Sequence, residues 1–340
     1  MDIRFAHRPP RRGFTLVEML VVIVIIGILT GLITGAAIMA RNAARRTAIV
    51  TEIHDMELAL GAYKEKLGDY PPDFTDQDAF LRHLARAFPR YVPTSTNPTK
   101  YGNNYPAWQN DLAVALGLKI DNQTTFKQQL ALLDPSTALV FWLAGVPDAN
   151  GIPNGFSANP SDPFDYIGIK NGTPTPSRIG PFFEFDRKRF VFADGTRTVT
   201  TLFRYIPNNG NADSEPYLYF RPNYYLANAW ANNNYEDPST HRPKAKIWPL
   251  DENGNPMNGR PIVMPYWDAI LAGTMVWTKP EAFWVNPTKF QILCPGLDGK
   301  YWSGSNPQPG HAFPIGSDYI SEQYDDITNF SGGTLKDKMP

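Results

Sequence analysis

The chain of 340 residues is long enough for one large domain or two ordinary ones, and a hydrophobic fraction of 42% supplies a sizeable core. Lys+Arg 32 against Asp+Glu 33 leaves a formal net charge of -1, which argues against a nucleic-acid partner and against an acidic disordered chain. Cys294 is the sole cysteine, which excludes an intrachain disulfide and any multi-cysteine zinc site, so an exported body must hold itself by packing or by a metal.

The N-terminus departs from this average. Residues 1–13 (MDIRFAHRPPRRG) carry Arg4, Arg8, Arg11 and Arg12 against Asp2, a side-chain charge of +3. The 22 residues from Met19 to Ala40 then pass without a formal charge. At about 1.5 Å per residue they span roughly 33 Å of helix, near the hydrocarbon thickness of a bilayer. Basic residues before such a span keep that end cytoplasmic and place the bulk of the chain across the membrane. A secretory signal peptide is the competing reading, but this run exceeds the core of one, no A-x-A site follows, and Arg41, Arg45 and Arg46 continue the helical pattern instead.

Glu18 lies at the edge of the apolar run, where a charge costs on the order of 2.5–3.5 kcal/mol or more and needs a partner. No Lys or Arg lies within the span. A free amine at Phe14, created by a cut after Gly13, would serve if it met Glu18 of a neighbouring copy. The pair would also fix register, since removing either leaves the other unpaired.

The stretch RRGFTLVEMLVVIVIIGIL resembles the N-terminal signal of type IV pilins and type II secretion pseudopilins. The resemblance implies cleavage between Gly13 and Phe14 by a membrane aspartyl peptidase, methylation of the Phe14 amine by the same enzyme, and Glu18 as the assembly glutamate. It covers roughly the first 70 residues. Many members carry a helix-kinking proline where this chain has Gly35. Gly27, Gly31 and Gly35 permit bending, or make a small-residue stripe for close helix packing.

The helix is predicted to continue to Leu67. Ile49, Ile53, Met56, Leu60, Tyr63 and Leu67 form one apolar stripe, read as the face packed on its own domain, with a coiled-coil partner as the alternative. Gly68, Asp69, Tyr70, Pro71 and Pro72 end it, and GDYPP is similar to the helix end of major pseudopilins. Beyond it come all but four of the 32 prolines. Helices are expected at Gln77–Phe88, Asn110–Leu116 and Gln123–Leu133, the last closed by Asp134-Pro135, with Ser136–Leu143 able to extend this helical region. Strands are expected at Phe182–Phe185, Arg189–Phe192, Thr198–Tyr205, Tyr217–Phe220 and Phe290–Cys294, forming an antiparallel sheet. Residues 224–261 read as long loops. Their Tyr224, Tyr225, Trp230 and Trp248 either stack on sugars or a partner, or simply pin a loop-rich fold.

Near the C-terminus, GLDG is followed by YDDITNF. Spacing alone leaves two readings: a loop from Asp298 to Asp326 wrapping a hard cation, or a β-turn at Asp298 with the Asp325–Asp326 pair capping a helical turn. The segment is similar to the calcium loop of major pseudopilins, which implies calcium as cofactor and Asp298, Asp325 and Asp326 as ligands. The gap between the two parts is longer here, and Asp318 and Glu322 are substitutes. Enzyme signatures are lacking: no H-E-x-x-H, no phosphate-binding glycine motif, and Gly155–Asn159 misses the closing Gly of a nucleophile elbow. Carboxylate pairs such as Glu184 with Asp186 are common in any chain of this size.

The expected fold is therefore α+β and pilin-like: a long transmembrane-to-soluble helix packed on an antiparallel β-sheet, with a large loop-rich insertion. The expected organisation is a basic leader at 1–13, a membrane and filament-core helix at 14–40, and its soluble half at 41–72. An enlarged body follows at 73–289, then a C-terminal strand and calcium loop at 290–340. The resemblance implies a non-enzymatic subunit, a type II secretion pseudopilin. Its partners would be the prepilin peptidase and methyltransferase, copies of itself, other pseudopilins and an inner-membrane assembly platform, with no nucleic acid. The alternatives are a type IV pilus, minor pilin or minor pseudopilin subunit for adhesion or DNA uptake, and a membrane-tethered exported hydrolase or carbohydrate-binding protein. The expected location is the inner membrane, crossed once, with the body outside and the assembled filament in the periplasm.

Overall fold

The computed structural model describes residues 13–74, 77–91, 112, 116, 132–148, 151–164, 177–193, 202–221, 263, 265–268, 284–286, 288–301, 312–314, 319 and 321–339. The chain divides into two compact units, Met1–Arg45 and Arg46–Pro340. The expected helices at 110–116 and 123–133 lie largely, and the loops at 224–261 wholly, outside the described residues.

Helix α1 runs Leu16–Leu67. In the first unit its large apolar side chains from Leu16 to Met39 are exposed. The run Val21–Ile26 is β-branched throughout, poor helix-forming sequence in water. Inside a bilayer the helix is the one local way to satisfy its backbone. Thr30 and Thr34 turn their hydroxyls inward, donating to the carbonyls of Ile26 (2.7 Å) and Thr30 (2.8 Å).

In the second unit the six stripe residues Ile49, Ile53, Met56, Leu60, Tyr63 and Leu67 are all buried, joined by Ala59. The stripe packs on the chain's own core. Gly68 closes the helix at φ +90°, donating its N–H to the Lys64 carbonyl, and Pro71-Pro72 follow. Helix α2 (Gln77–Ala87) turns Ala79, Phe80, His83 and Leu84 inward. Helix α3 (Pro135–Ala144) is buried at every position.

The Asp134-Pro135 pair, expected to close a helix, opens α3 instead. Asp134 is the N-cap, its carboxylate accepting from the backbone N–H groups of Ser136 and Thr137, and Thr137 completes a capping box. Proline suits the first helical position because its missing N–H needs no partner there.

The strands are short and form several small sheets. β1 (Phe156–Ser157) pairs with β2 (Arg178–Ile179), and β3 (Phe190–Phe192) with β4 (Phe203–Tyr205), both antiparallel. β5 (Leu218–Phe220), β7 (Gln291–Cys294) and β9 (Ile327–Thr328) form an antiparallel sheet in the order β5-β7-β9. β6 (Trp267–Asp268) and β8 (Ala312–Phe313) pair in parallel, against the all-antiparallel expectation. Phe182–Phe185 is not a strand. The N–H groups of Phe182 and Phe183 both donate to the Leu143 carbonyl, docking this segment on the end of α3.

The three-stranded sheet is buried on both faces, with side chains alternating at period two. Tyr217, Tyr219, Ile292, Cys294 and Ile327 join the core that holds α1, α2 and α3. Leu218, Phe220 and Leu293 point to a second core with Tyr266, Trp284, Tyr301 and Leu335. This α+β arrangement, a long N-terminal helix with small antiparallel sheets, is pilin-like.

One polar knot ties α1 to the body. Glu52 accepts from the hydroxyls of Tyr205 (2.9 Å) and Tyr217 (2.7 Å) and pairs with the Arg189 guanidinium, which also lies over the Tyr205 ring. Cys294 lies buried beside it, and its thiol is pushed well up by burial.

Candidate functional site

The start of α1 is built by its own first turn. Glu18 Oε2 accepts from the Thr15 N–H (2.8 Å) and the Thr15 hydroxyl (2.8 Å), and the Thr15 hydroxyl accepts from the Glu18 N–H (3.2 Å). This is a reciprocal capping box, T-x-x-E, which satisfies free N–H groups and sets a carboxylate at the positive end of the helix dipole. Reading Glu18 only as a charge in search of an amine passes over Thr15, although the T-L-V-E spacing states the box. Both bonds fall on one oxygen, so among the described residues Oε1 stays open to a second donor. Phe14 just before it is 77% exposed, and a side chain added at Gly13 would meet no neighbour among the described residues. Gly27, Gly31 and Gly35 sit within an unbroken helix, each with open space around its Cα.

A second constellation joins three loops. Asp325 Oδ2 accepts from the N–H groups of Leu297 (2.7 Å) and Asp298 (3.2 Å), and Asp298 Oδ1 accepts from the Lys300 N–H (2.8 Å). Gly296 sits at φ +60°, and a Cβ there would lie 2.3–2.5 Å from Asp325 atoms, so the turn admits only glycine. Residues 209–215 brace the same turn. The side-chain amides of Asn209 and Asn211 donate to the carbonyls of Gly296 and Asp298 (3.0 Å each), and Glu215 Oε2 accepts from the Tyr301 N–H (2.7 Å). Nothing in the local sequence signals Asn209, Asn211 and Glu215, because they arrive from more than 80 residues away.

Asp326 is 2% exposed, and its Oδ1 has no hydrogen-bond partner among the described residues. Burial, then the Asp325, Asp298 and Glu215 carboxylates, push its carboxyl well above the usual range. Burial raises Asp298 to about 6, with Asp325 and Glu322 adding to the rise and the Lys300 N–H opposing it. The donor chemistry suits a hard cation: clustered carboxylates and an orphaned buried oxygen. Among the described residues, however, no three acidic or imidazole side chains close on one point as a finished coordination shell. Asp325 spends one oxygen on the turn. Asp318 lies outside the described residues.

The candidates for bond chemistry are placed as follows. Asp186 caps a short helical turn through the Lys188 N–H, and Glu184 is exposed. His54 stands 3.7 Å from Glu57 on α1, and His83 is buried with Nε2 2.8 Å from the Tyr63 hydroxyl. His7, His241 and His311 lie outside the described residues.

Comparison with known proteins adds one match: residues 8–34 fit the family model described as the prokaryotic N-terminal methylation motif. The chain carries a type IV pilin-like prepilin signal. Such a signal implies processing by a prepilin peptidase and pilin-like assembly, and α1 is long and apolar enough to cross a membrane. No curated protein and no solved structure matches the chain.

Proposed function

We propose that this chain is a pseudopilin of the type II secretion kind, cut between Gly13 and Phe14 and methylated on Phe14. In this reading it is held N-in in the inner membrane until a platform there assembles it, with other pseudopilins, into a periplasmic filament that drives protein export. The supporting observation is the conjunction of the methylation motif at residues 8–34, an apolar helix face exposed up to Met39, and a carboxylate in that helix's first turn. Removing the +3 leader creates an amine at Phe14. That amine, from one copy, meets the open oxygen of Glu18 in the next, so two charges are neutralised as the helices bury one another. The work is done by packing, not by bond chemistry. Asp298, Asp325 and Asp326 are the residues that would hold a calcium ion, whose charge would offset the acidic loops of the body. Mass spectrometry of the N-terminus of membrane-extracted protein tests the reading. A mature chain starting at methylated Phe14 supports it, and one retaining residues 1–13 or starting beyond Ala40 overturns it.

A further inference from the structure

Between Glu18 and Glu52, helix α1 carries no acidic residue, and its only charges are Arg41, Arg45 and Arg46. Arg46 lies in the electrostatic field of Asp337. Arg41 and Arg45 stand one turn apart on one face and form no salt bridge among the described residues.

Their axial position is informative. Leu20–Met39 is 20 residues, all uncharged, with the Thr30 and Thr34 hydroxyls tied back to the backbone. That stretch rises about 30 Å, the hydrocarbon thickness of a bilayer. Arg41 then lies about 3 Å past the hydrocarbon edge, inside a headgroup layer some 5–7 Å deep, and Arg45 about 9 Å past it, roughly 2 Å beyond that layer. Helical side chains lean toward the N-terminus, so both guanidinium groups tilt back toward the bilayer. A guanidinium fork matches two phosphate oxygens, and its aliphatic stem tolerates the apolar edge. Basic residues on the translocated side of a span also run against the usual cytoplasmic bias, which leaves them in want of a local role.

We propose that Arg41 and Arg45 form a collar for phospholipid phosphates in the leaflet on the body's side, fixing the depth of α1 until the subunit leaves the membrane. This rests on the reading of α1 as an N-in span. It favours lipid over acidic side chains of a second copy because exposed Arg41 and half-buried Arg45 follow directly on the exposed apolar run that ends at Met39.

The test is lipid selection by the full chain in phosphatidylcholine vesicles containing phosphatidylglycerol. The readout is the motionally restricted fraction of trace spin-labelled phosphatidylglycerol against that of spin-labelled phosphatidylcholine. The leader's arginines are common to all variants, so differences between variants isolate the collar. Arg41→Gln with Arg45→Gln is expected to lower selection for phosphatidylglycerol by about fivefold per arginine at low ionic strength, and the paired lysine substitutions to retain most of it. In the unsubstituted chain, selection should fall as salt rises. Should the paired glutamine variant fail to insert, the single Arg41→Gln variant carries the comparison, with an expected fall of about fivefold. Unchanged selection in the glutamine variant, or salt-independent selection in the original chain, overturns the collar. So does a glutamine variant that keeps its lipid selection but loses contacts between copies. An N-terminus other than Phe14 would defeat the filament reading while leaving the lipid measurement intact.

Discussion

Glu18 gives one oxygen to the capping box, which leaves the other for the proposed amine of a neighbouring copy. Thr15→Val removes the hydroxyl that bonds both the Glu18 carboxylate and its N–H, and is expected to cost about 0.5–2 kcal/mol at the helix start. Faster amide exchange at Leu16–Glu18, reversed by Thr15→Ser, checks this. Glu18→Ala loses the cap and the proposed amine partner together. It should stay cleaved and membrane-bound yet leave no pelletable filament, and wild-type filament yield in that variant would refute the assembly role. Another buried group gives a pH signature. Burial depresses His83 to about 4 from an ordinary 6.5, with Arg221 and Arg86 lowering it further and Asp69 opposing. Tyr63 and Trp142 rings flank it. The folded chain therefore binds fewer protons than the unfolded chain between these values. Stability should be full above pH 6.5 and fall as pH drops toward 4, by on the order of 3 kcal/mol. Thermal melts of the full chain in detergent between these pH values, set against His83→Gln, show whether the slope belongs to this imidazole.

At the scale of elements, periodicity made α1 legible and distance hid its lock. The stripe from Ile49 to Leu67 repeats at helical spacing, and each of its residues is buried as that spacing requires. Glu52 reads as a solvent-facing residue beside the stripe, because its partners Arg189, Tyr205 and Tyr217 come from 137 to 165 residues away. Breaking this pair takes the close carboxylate from a mostly buried guanidinium and leaves it the Ile206 carbonyl and Asp186 at 3.9 Å. Glu52→Ala should thus cost on the order of 3 kcal/mol, visible as a lowered denaturation midpoint, with the double change Glu52→Ala, Arg189→Met recovering part of it. Asp134-Pro135 was ambiguous for a different reason. The same dipeptide that blocks a preceding helix supplies the cap and first position of the next. The aromatic run Phe182–Phe185 has strand composition, but its N–H groups are consumed by the last turn of α3.

For the molecule as a whole, the N-terminal signal and the α+β class were readable because both lie in contiguous sequence. The acidic centre was readable only in part. Asp298, Asp325 and Asp326 announce themselves through turn residues and pairing, whereas Glu215 and the bracing asparagines belong to another loop. If calcium fills this centre, adding excess chelator to calcium-loaded full chain should lower the melting temperature by roughly 5 °C or more. Magnesium should restore less of it than calcium, because it demands a tighter octahedral shell. An unchanged transition would remove calcium from the account and leave the carboxylates as turn-forming groups.

The sole thiol has a practical consequence. Cys294, at the end of the middle strand β7, is wholly buried beside Tyr217, and its proton is held tightly there. Maleimide and other alkylating reagents should therefore find no target on the native chain and label it only once the body opens. The rate of alkylation at Cys294 becomes a built-in clock for unfolding. Cysteines engineered onto the outer surface would be modified against a silent background, which suits them to mapping neighbours by cross-linking in living cells.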